Sequence, residues 1–371
     1  MSNKKLVMLG IIAALMMVWA VMQARVGKGP APTPPASSYL IQGLDPAKIA
    51  SIVVGKGEYA ARLVREGNHF VVANKDNYPA ATGKINNLIT SCLDIQTVDF
   101  ITSNPENHES LDVTEEKAQN IIKFFDGGGQ IITGIVIGSS RLPELDMSRR
   151  STYARLIASD DVYTAKNVPL SAGSAMDYID KEIVNVGRPE VARVTVTGPE
   201  GSYTLRADAN DQDNIVLEGI PEGKKLKDSD CRQVLSALSY LSFDDVKKQS
   251  SQEEDLNFDR TYVCELKDST VYTFNIAGRD GKTYVKCVAD YADKTPVVKE
   301  KRVESEEELK SKEAKLLARD RAVEFTQKHQ VWLYEIPEWK AKNLTRKLAD
   351  LVEQEKVDES SSAGSGEESE T

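Results

Sequence analysis

The chain has 371 residues, of which 40% are hydrophobic and 28% are charged, and its formal net charge is −10. This composition is ordinary for a folded chain of two domains or slightly more. About half of the net charge belongs to five carboxylates in the last fifteen residues: Asp358, Glu359, Glu367, Glu368 and Glu370. The rest is only mildly acidic, which argues against a nucleic-acid-binding surface.

The N-terminus carries Lys4 and Lys5 and then an uncharged apolar run at residues 6–22, LVMLGIIAALMMVWAVM. A helix of this length nearly spans the hydrocarbon core of a bilayer. Because no small-x-small cleavage site follows, residues 1–25 are interpreted as an uncleaved transmembrane anchor, with a cleaved signal as the alternative. The preceding lysines predict a single-pass protein of the inner (cytoplasmic) membrane whose body faces the periplasm or another extracytoplasmic space.

A Pro-rich linker is predicted over residues 26–40, which contain the sequence GKGPAPTPPASS. Prolines are excluded from helix interiors and central strands, so this linker is expected to be an extended spacer. At the other end of the chain, residues 356–371 are acidic and of low complexity. That composition predicts a disordered tail.

Residues 41–185 form the first of two predicted modules. Its strands are inferred from enrichment in β-branched residues, its helix from apolar residues at helical spacing, and its turns from glycine and aspartate. The predicted order is three strands, a helix and two hairpins: 48–54, 59–64, 69–73, 82–95, 118–125 with 130–137, and 152–157 with 161–165.

Residues 186–355 form the second predicted module and repeat that order. An insertion at 299–328, dominated by Glu, Lys, Arg and Ala, predicts a charged helix that the first module lacks. The predicted elements are strands at 190–197, 203–206 and 214–218, a helix at 230–241, strands at 260–266, 271–277, 283–290 and 331–334, and a closing helix at 338–354.

The prediction of two modules rests on segments 84–113 and 230–259, in which apolar positions coincide. The aligned pairs are Ile85 with Cys231, Leu88 with Val234, Ile89 with Leu235, Cys92 with Leu238, Ile95 with Leu241, and Phe100 with Val246. A repeat of well over 100 residues indicates two domains rather than a solenoid. The predicted fold class is α+β: two similar tandem modules, each a mostly antiparallel sheet with one main helix, after the transmembrane helix.

The four cysteines, at positions 92, 231, 264 and 287, show no C-x-x-C spacing. This argues against zinc-ribbon and thioredoxin chemistry. Cys92 and Cys231 occupy apolar helix positions and are expected in the core. A disulfide between Cys264 and Cys287 would require neighbouring strands, and the sequence leaves open whether they are bridged.

The remaining polar motifs favour structural roles. Residues 126–129, DGGG, lack the lysine of a phosphate-binding loop and are interpreted as a hairpin turn. The cluster of Asp208, Asp211 and Asp213, with Glu222 further on, lacks the glycine of a calcium loop and is interpreted as a solvated turn. The three histidines, His69, His108 and His329, lie in unlike contexts. The sequence thus predicts no catalytic residue, no metal ligand and no cofactor.

Two segments are candidates for partner contact. Trp332, Tyr334 and Trp339 cluster near the C-terminus, either as a binding anchor or as part of a domain core. Strand alternation places Trp332 and Tyr334 on one face. The charged segment 304–321 within the insertion is either a partner-binding helix or a solvated helix that covers a sheet edge.

The chain resembles a bacterial family called domain of unknown function 4340, over about residues 40–350. Seven motifs carry the resemblance: LDPAKIASIVV at 44–54, YPA at 78–80, LD at 111–112 and VYTAKNV at 162–168, with RPEVARVTV at 188–196, LNFD at 256–259 and VWLYEIP at 331–337. Members of the family are often encoded beside ABC-transporter components of the gliding-motility type. The resemblance therefore implies an envelope protein that works alongside a transporter.

The expected function is that of a membrane-anchored extracytoplasmic binding or scaffold protein, an accessory to such a transporter. Its expected partners are the membrane, through the N-terminal helix, and envelope or ABC-transporter proteins. The alternatives are a cell-envelope hydrolase with a non-motif site between the modules, and a purely structural spacer. The sequence leaves the ligand, the partner and the oligomeric state open.

Overall fold

The structure, a computed structural model, describes residues 38–141, 151–169, 173–207, 214–249, 256–299 and 303–354. The predicted anchor at 1–25, most of the linker and the predicted tail lie outside these residues. Among the helices in the described ranges, none combines the length and the apolar character that crossing a membrane requires.

Mostly antiparallel sheets with a few helices make up the described residues, as the α+β prediction expected. The helices are α1 (Thr82–Leu93), α2 (Asp228–Leu235), α3 (Glu306–His329), α4 (Glu338–Leu344) and α5 (Leu348–Leu351). The strands up to residue 184 are β1 (Ser51–Val54), β2 (Ala61–Glu66), β3 (His69–Val72), β4 (Tyr78–Pro79), β5 (Gln96–Thr102), β6 (Asn120–Phe125), β7 (Ile131–Arg141), β8 (Ser151–Leu156), β9 (Val162–Lys166) and β10 (Glu182–Val184). The later strands are β11 (Val191–Gly198), β12 (Gly201–Ala207), β13 (Ile215–Leu217), β14 (Lys224–Leu226), β15 (Leu241–Ser242), β16 (Asp245–Lys248), β17 (Arg260–Leu266), β18 (Thr270–Arg279), β19 (Lys282–Tyr291), β20 (Trp332–Ile336) and β21 (Val352–Gln354).

The chain divides into two compact units. Unit 1 comprises the described residues up to Asn68 together with Thr82–Ser174, and unit 2 comprises His69–Ala81 together with the described residues from Ala175 onward. The segment 69–81, which carries β3 and β4, is thus part of unit 2.

In unit 1 the neighbouring strands follow the order β2-β1-β6-β7-β8-β9-β5. The short strand β1 lies between β2 and β6, so that Ile52 pairs with Leu63 on one side and with Phe124 on the other. All three side chains are fully buried. The apolar face of α1 is also buried, because residues three and four apart share one side of a helix: Ile85, Leu88, Ile89 and Cys92.

Unit 2 contains a sheet of order β13-β12-β11-β17-β18-β19-β20-β16 and two small sheets, β10-β15 and β14-β21. Helix α2 is tied to the large sheet by the Tyr262 hydroxyl, which donates to the carbonyl of Val234 at 2.8 Å. Tyr262 is fully buried. The bond therefore satisfies a polar group that would otherwise lie unpaired in the core.

Helix α3 connects β19 to β20 and occupies most of the segment 299–328, where an inserted charged helix was predicted, and it ends one residue later at His329. Ser305 caps it, and Glu308 completes a capping box. On its inner side Ala318 and Ala322 pack against Ala289 and Tyr291 of β19. These small side chains let the helix approach the strand closely. As a result, α3 is held by a narrow buried edge and leaves most of its surface to solvent.

Two helix predictions were too long. Helix α2 ends at Leu235 rather than 241, because Leu238 and Leu241 are buried from a turn and from β15 instead of from a helix. The predicted helix over 338–354 is two short helices followed by β21. That strand pairs with β14, a long-range interaction that helical periodicity does not register. Among the strands that were not predicted are β5, β16 and the short strands β4, β10, β14 and β15.

Cys264 and Cys287 do not lie on neighbouring strands. Cys264 is on β17 and Cys287 is on β19, with β18 between them. Both thiols are free and buried, as are those of Cys92 and Cys231. The adjacency that a disulfide would require is therefore missing, because β18 separates the two strands.

Candidate functional site

The structure separates the three aromatic residues that were singled out near the C-terminus. Trp332 and Tyr334 lie on β20 and are 7% and 0% exposed, whereas Trp339 lies on α4 and is 64% exposed. Both buried rings contact Tyr78, at centroid distances of 4.7 and 6.4 Å. Trp332 and Tyr334 are therefore core residues that hold the segment 69–81 against β20.

A polar pair lies inside this aromatic core. Nδ1 of His329 is 2.6 Å from the hydroxyl oxygen of Tyr334, and that oxygen is 3.5 Å from the hydroxyl of Tyr78. Burial lowers the pKa of His329 to about 3 and raises the pKa of Tyr78 to about 12. Burial also raises the pKa of Tyr334. A histidine with so low a pKa stays neutral near pH 7 and binds a proton only weakly, which suits a hydrogen-bond partner of the Tyr334 hydroxyl.

Trp339 forms the first of two candidate partner-binding surfaces. The ammonium of Lys340 lies 4.5 Å from the centre of its ring and donates to the carbonyl of Ser239 at 2.5 Å. Tyr240 follows Ser239 in the chain and is 68% exposed, and its backbone amide donates to Oδ1 of Asn185. We call Trp339, Tyr240 and Lys340 the aromatic patch.

The aromatic patch has the chemistry of a binding anchor. Its two aromatic rings expose large apolar surface while their backbone is fixed, and such rings lose little conformational entropy on binding. Lys340 is 7% exposed, so its side chain is largely withdrawn from water beside Trp339, and this burial lowers its pKa.

The outward side of α3 forms the second candidate surface. Leu309, Leu316 and Val323 recur every seven residues and are 52%, 44% and 47% exposed. They lie on a different side of the helix from Ala318 and Ala322, roughly 140° away on average, since each residue advances about 100° around the axis. Leu316 and Val323 also line a pocket together with Ala289 and Tyr291 of β19. We call these three residues the α3 stripe.

The surroundings of the α3 stripe differ along the helix. An apolar groove of about 870 Å³ runs beside its first half and is lined by Val298 and Val303 as well as by α3. A second pocket of about 450 Å³ lies between α3 and the loop after β19. Its carboxylates are neutralised, since Asp293 pairs with Lys315 at 2.7 Å, which lowers the pKa of Asp293. The groove therefore suits an apolar occupant. The pocket is less suited to a charged one, because Asp293 is already paired.

The other sequence candidates fall in separate places. His69 is exposed, and His108 is buried with Nε2 at 3.0 Å from the carbonyl of Asp160. Among the described residues, no three His, Cys, Asp or Glu side chains are grouped as a metal site would require. The cluster of Asp208, Asp211 and Asp213 lies outside those residues. Residues 126–129 form the turn between β6 and β7, where the Asp126 carboxylate accepts two backbone amides.

The family comparison decides the affiliation of the chain. A family model described as domain of unknown function (DUF4340) matches residues 71–261, which are 191 of the 371 residues. The chain belongs to the DUF4340 family. No curated protein and no solved structure matches it.

The matched DUF4340 range begins in β3 and ends in β17. It includes α1 and α2, whereas α3 and Trp339 lie outside it. Sequence reasoning proposed Trp339 and the segment 304–321 but missed Tyr240, which lies between Ser239 and Leu241 without another aromatic residue beside it. The seven-residue spacing of the α3 stripe was present in the sequence and is the signal that would have revealed it.

Proposed function

We propose that this DUF4340 protein is a membrane-anchored, extracytoplasmic binding or scaffold protein of the inner membrane, an accessory to an ABC-type transporter of the gliding-motility type. The apolar run at residues 6–22 supports the membrane anchor, and the transporter genes that the family resemblance implies support the accessory role. The single observation that carries the binding role is the aromatic patch, in which Trp339 is exposed yet held in place by Lys340.

The two units are, in this proposal, copies of one ancestral module. Each position in the strand order β2-β1-β6-β7-β8-β9-β5 has a counterpart in β12-β11-β17-β18-β19-β20-β16. Five of the six aligned apolar pairs are buried at both positions, and the exception is Phe100, which is 56% exposed where Val246 is buried. The turn between β8 and β9 corresponds to the connection that holds α3. Unit 2 thus carries a helical surface, α3, at the place where unit 1 has only a turn.

Site-specific photo-crosslinking tests the binding role. A photoreactive phenylalanine analogue replaces Trp339 in the full-length chain, which is expressed in its native cell and irradiated before the membranes are solubilised. We expect a crosslinked product that contains a transporter subunit. Tyr59, which is 88% exposed in unit 1, provides the matched control position, from which we expect no such product.

The outcomes separate the parts of the proposal. A product with a different envelope protein would support the scaffold role and contradict the transporter assignment. Equal products from positions 339 and 59, or none from either, would contradict a binding role for the aromatic patch. Cleavage of the body by a protease added to spheroplasts, but not to intact cells, is expected if the body faces the periplasm. The envelope-hydrolase alternative stays a prediction.

A further inference from the structure

We infer that α3 is a self-pairing helix: a second copy of this chain docks on the α3 stripe, with the two helices parallel and a two-fold axis running between them. This inference concerns a different surface from the aromatic patch, so it stands independently of the proposed transporter partner. It rests on the apolar stripe of α3 and on the charges that flank it.

The stripe is suited to a helical partner. Leu309, Leu316 and Val323 lie two turns apart from one another along a helix of 24 residues, which is about 36 Å long. Two helices that pack along a common seam carry apolar residues at two positions of every seven, and the stripe supplies one of these two positions. Ala318 and Ala322 pack on β19, whereas the stripe borders the segments after β19 and stays about half exposed.

The charges beside the stripe are sorted by sign. Lys312 and Arg319 lie roughly 50° to one side of it, and Glu313 and Asp320 lie roughly 50° to the other side. Each helix therefore presents a basic edge, an apolar centre and an acidic edge. Charged residues at such flanking positions set the orientation in which two helices pair.

Only the parallel orientation joins opposite charges. A two-fold axis along the helices turns the basic edge of one copy toward the acidic edge of the other. Arg319 then faces the partner's Asp320, and Lys312 faces the partner's Glu313. In the antiparallel orientation the like edges meet, so that Lys312 faces the partner's Arg319, which is repulsive. The charge pattern is thus self-complementary for parallel pairing alone.

Three of the four charged side chains beside the stripe are free to pair with a second copy. Across the described ranges, Glu313, Arg319 and Asp320 form no ion pair, and all three are exposed. Lys312 differs, because its ammonium lies 2.7 Å from both the Glu304 carboxylate and the carbonyl of Val298. The pair between Arg319 and the partner's Asp320, which occurs twice by symmetry, is therefore the main orienting contact.

Neighbouring apolar side chains widen the docking surface. Val298 and Val303 are 64% and 96% exposed and line the groove beside Leu309 and Leu316. Leu317, at 54% exposure, borders the acidic edge. Covering these side chains in a dimer removes their apolar surface from water, which favours association.

The association state of the full-length chain in detergent tests this inference. Sedimentation velocity is measured over a range of protein concentrations. We expect a reversible dimer for the wild type and a monomer for Leu316→Glu at the same concentrations. Ile220→Glu changes a residue of similar exposure away from α3 and is expected to leave the dimer unchanged. A monomeric wild type, or a dimer that persists in Leu316→Glu, would overturn the inference.

Charge variants test the orientation. Arg319→Glu places two carboxylates together in the parallel dimer and is expected to weaken it by roughly tenfold. The double variant R319E/D320R restores opposite charges and is expected to recover the affinity. A tighter dimer for Arg319→Glu would instead show antiparallel pairing and contradict the proposed arrangement.

Cysteine crosslinking gives a second readout of the orientation. Leu309→Cys is expected to form a disulfide between the two copies under mild oxidation, because parallel helices place the two 309 positions side by side. Antiparallel helices would separate them by about 21 Å. Lys310→Cys, one position off the stripe, is the control and is expected to crosslink poorly. Equal crosslinking at both positions would count against a specific seam.

Discussion

His329 and Tyr334 are joined by a hydrogen bond of 2.6 Å, and neither side chain is more than 1% exposed. His329 is the last residue of α3, and Tyr334 lies in the middle of β20. Phe325 packs on the imidazole, with ring centroids 4.5 Å apart. The pair therefore fixes the end of α3 to the strand that follows it, and thereby fixes the direction in which α3 leaves the sheet.

Tyr334→Phe is expected to destabilise the protein by about 1–3 kcal/mol, because it leaves Nδ1 of His329 buried without its partner. Urea titration measures this loss as the difference in the free energy of unfolding between the wild type and the variant. Tyr78→Phe is the control, since its hydroxyl only approaches Tyr334 at 3.5 Å and should cost less. A larger loss for Tyr78→Phe than for Tyr334→Phe would contradict this account of the pair.

His329 is expected to make stability depend on pH below about 6.5. Burial lowers its pKa to about 3 in the folded chain, so the unfolded chain binds the extra proton between these pH values. The contribution of His329 to the free energy of unfolding is complete above pH 6.5. It falls as the pH drops toward 3, by up to about 4 kcal/mol.

The measurement is the difference between wild type and His329→Gln in the free energy of unfolding at pH 7.5 and at pH 5. We expect the variant to lose less stability on acidification. His69→Gln changes an exposed histidine and is expected to keep the wild-type pH dependence. Parallel pH curves for wild type and His329→Gln would contradict a buried neutral imidazole.

Local patterns predicted much of this fold. The spacing of Ile85, Leu88, Ile89 and Cys92 located α1 to within two residues of its observed end, because a helix with one buried face leaves a period in the sequence. Residues 126–129 located the β6–β7 hairpin through their turn chemistry. Both signals lie within a few neighbouring residues.

The predictions that failed concerned residues whose structure depends on partners far away in the sequence. Helix 338–354 was predicted from Leu344, Leu348 and Leu351, yet residues 352–354 pair with β14, more than 100 positions away. Trp332, Tyr334 and Trp339 were considered as one cluster. The first two are buried because distant aromatic rings cover them: Tyr78 packs on both, and Phe243 packs on Tyr334. Sequence patterns report how a residue fits its own element, and not what covers that element.

The four cysteines are expected to be unreactive in the folded chain. Burial raises the pKa of Cys92 and Cys264 to about 12, and also raises the pKa of Cys231 and Cys287. Maleimide at pH 7.5 should therefore label no thiol in the native protein and four after unfolding in urea. Reductant should leave the melting temperature unchanged. A lower melting temperature with reductant would reveal a disulfide and contradict free thiols at 264 and 287.

Ala318→Leu is expected to destabilise the protein by about 1–3 kcal/mol, because Ala318 is fully buried where α3 packs on Ala289 and Tyr291. Its larger side chain would push α3 away from β19, so amide hydrogen exchange should quicken in α3 before it quickens in β17 or β18. Ala314→Leu, one turn earlier on an exposed position of the same helix, is expected to be nearly neutral. Equal effects of the two variants would mean that α3 is not held by its alanine edge. Unchanged exchange in Ala318→Leu would lead to the same conclusion.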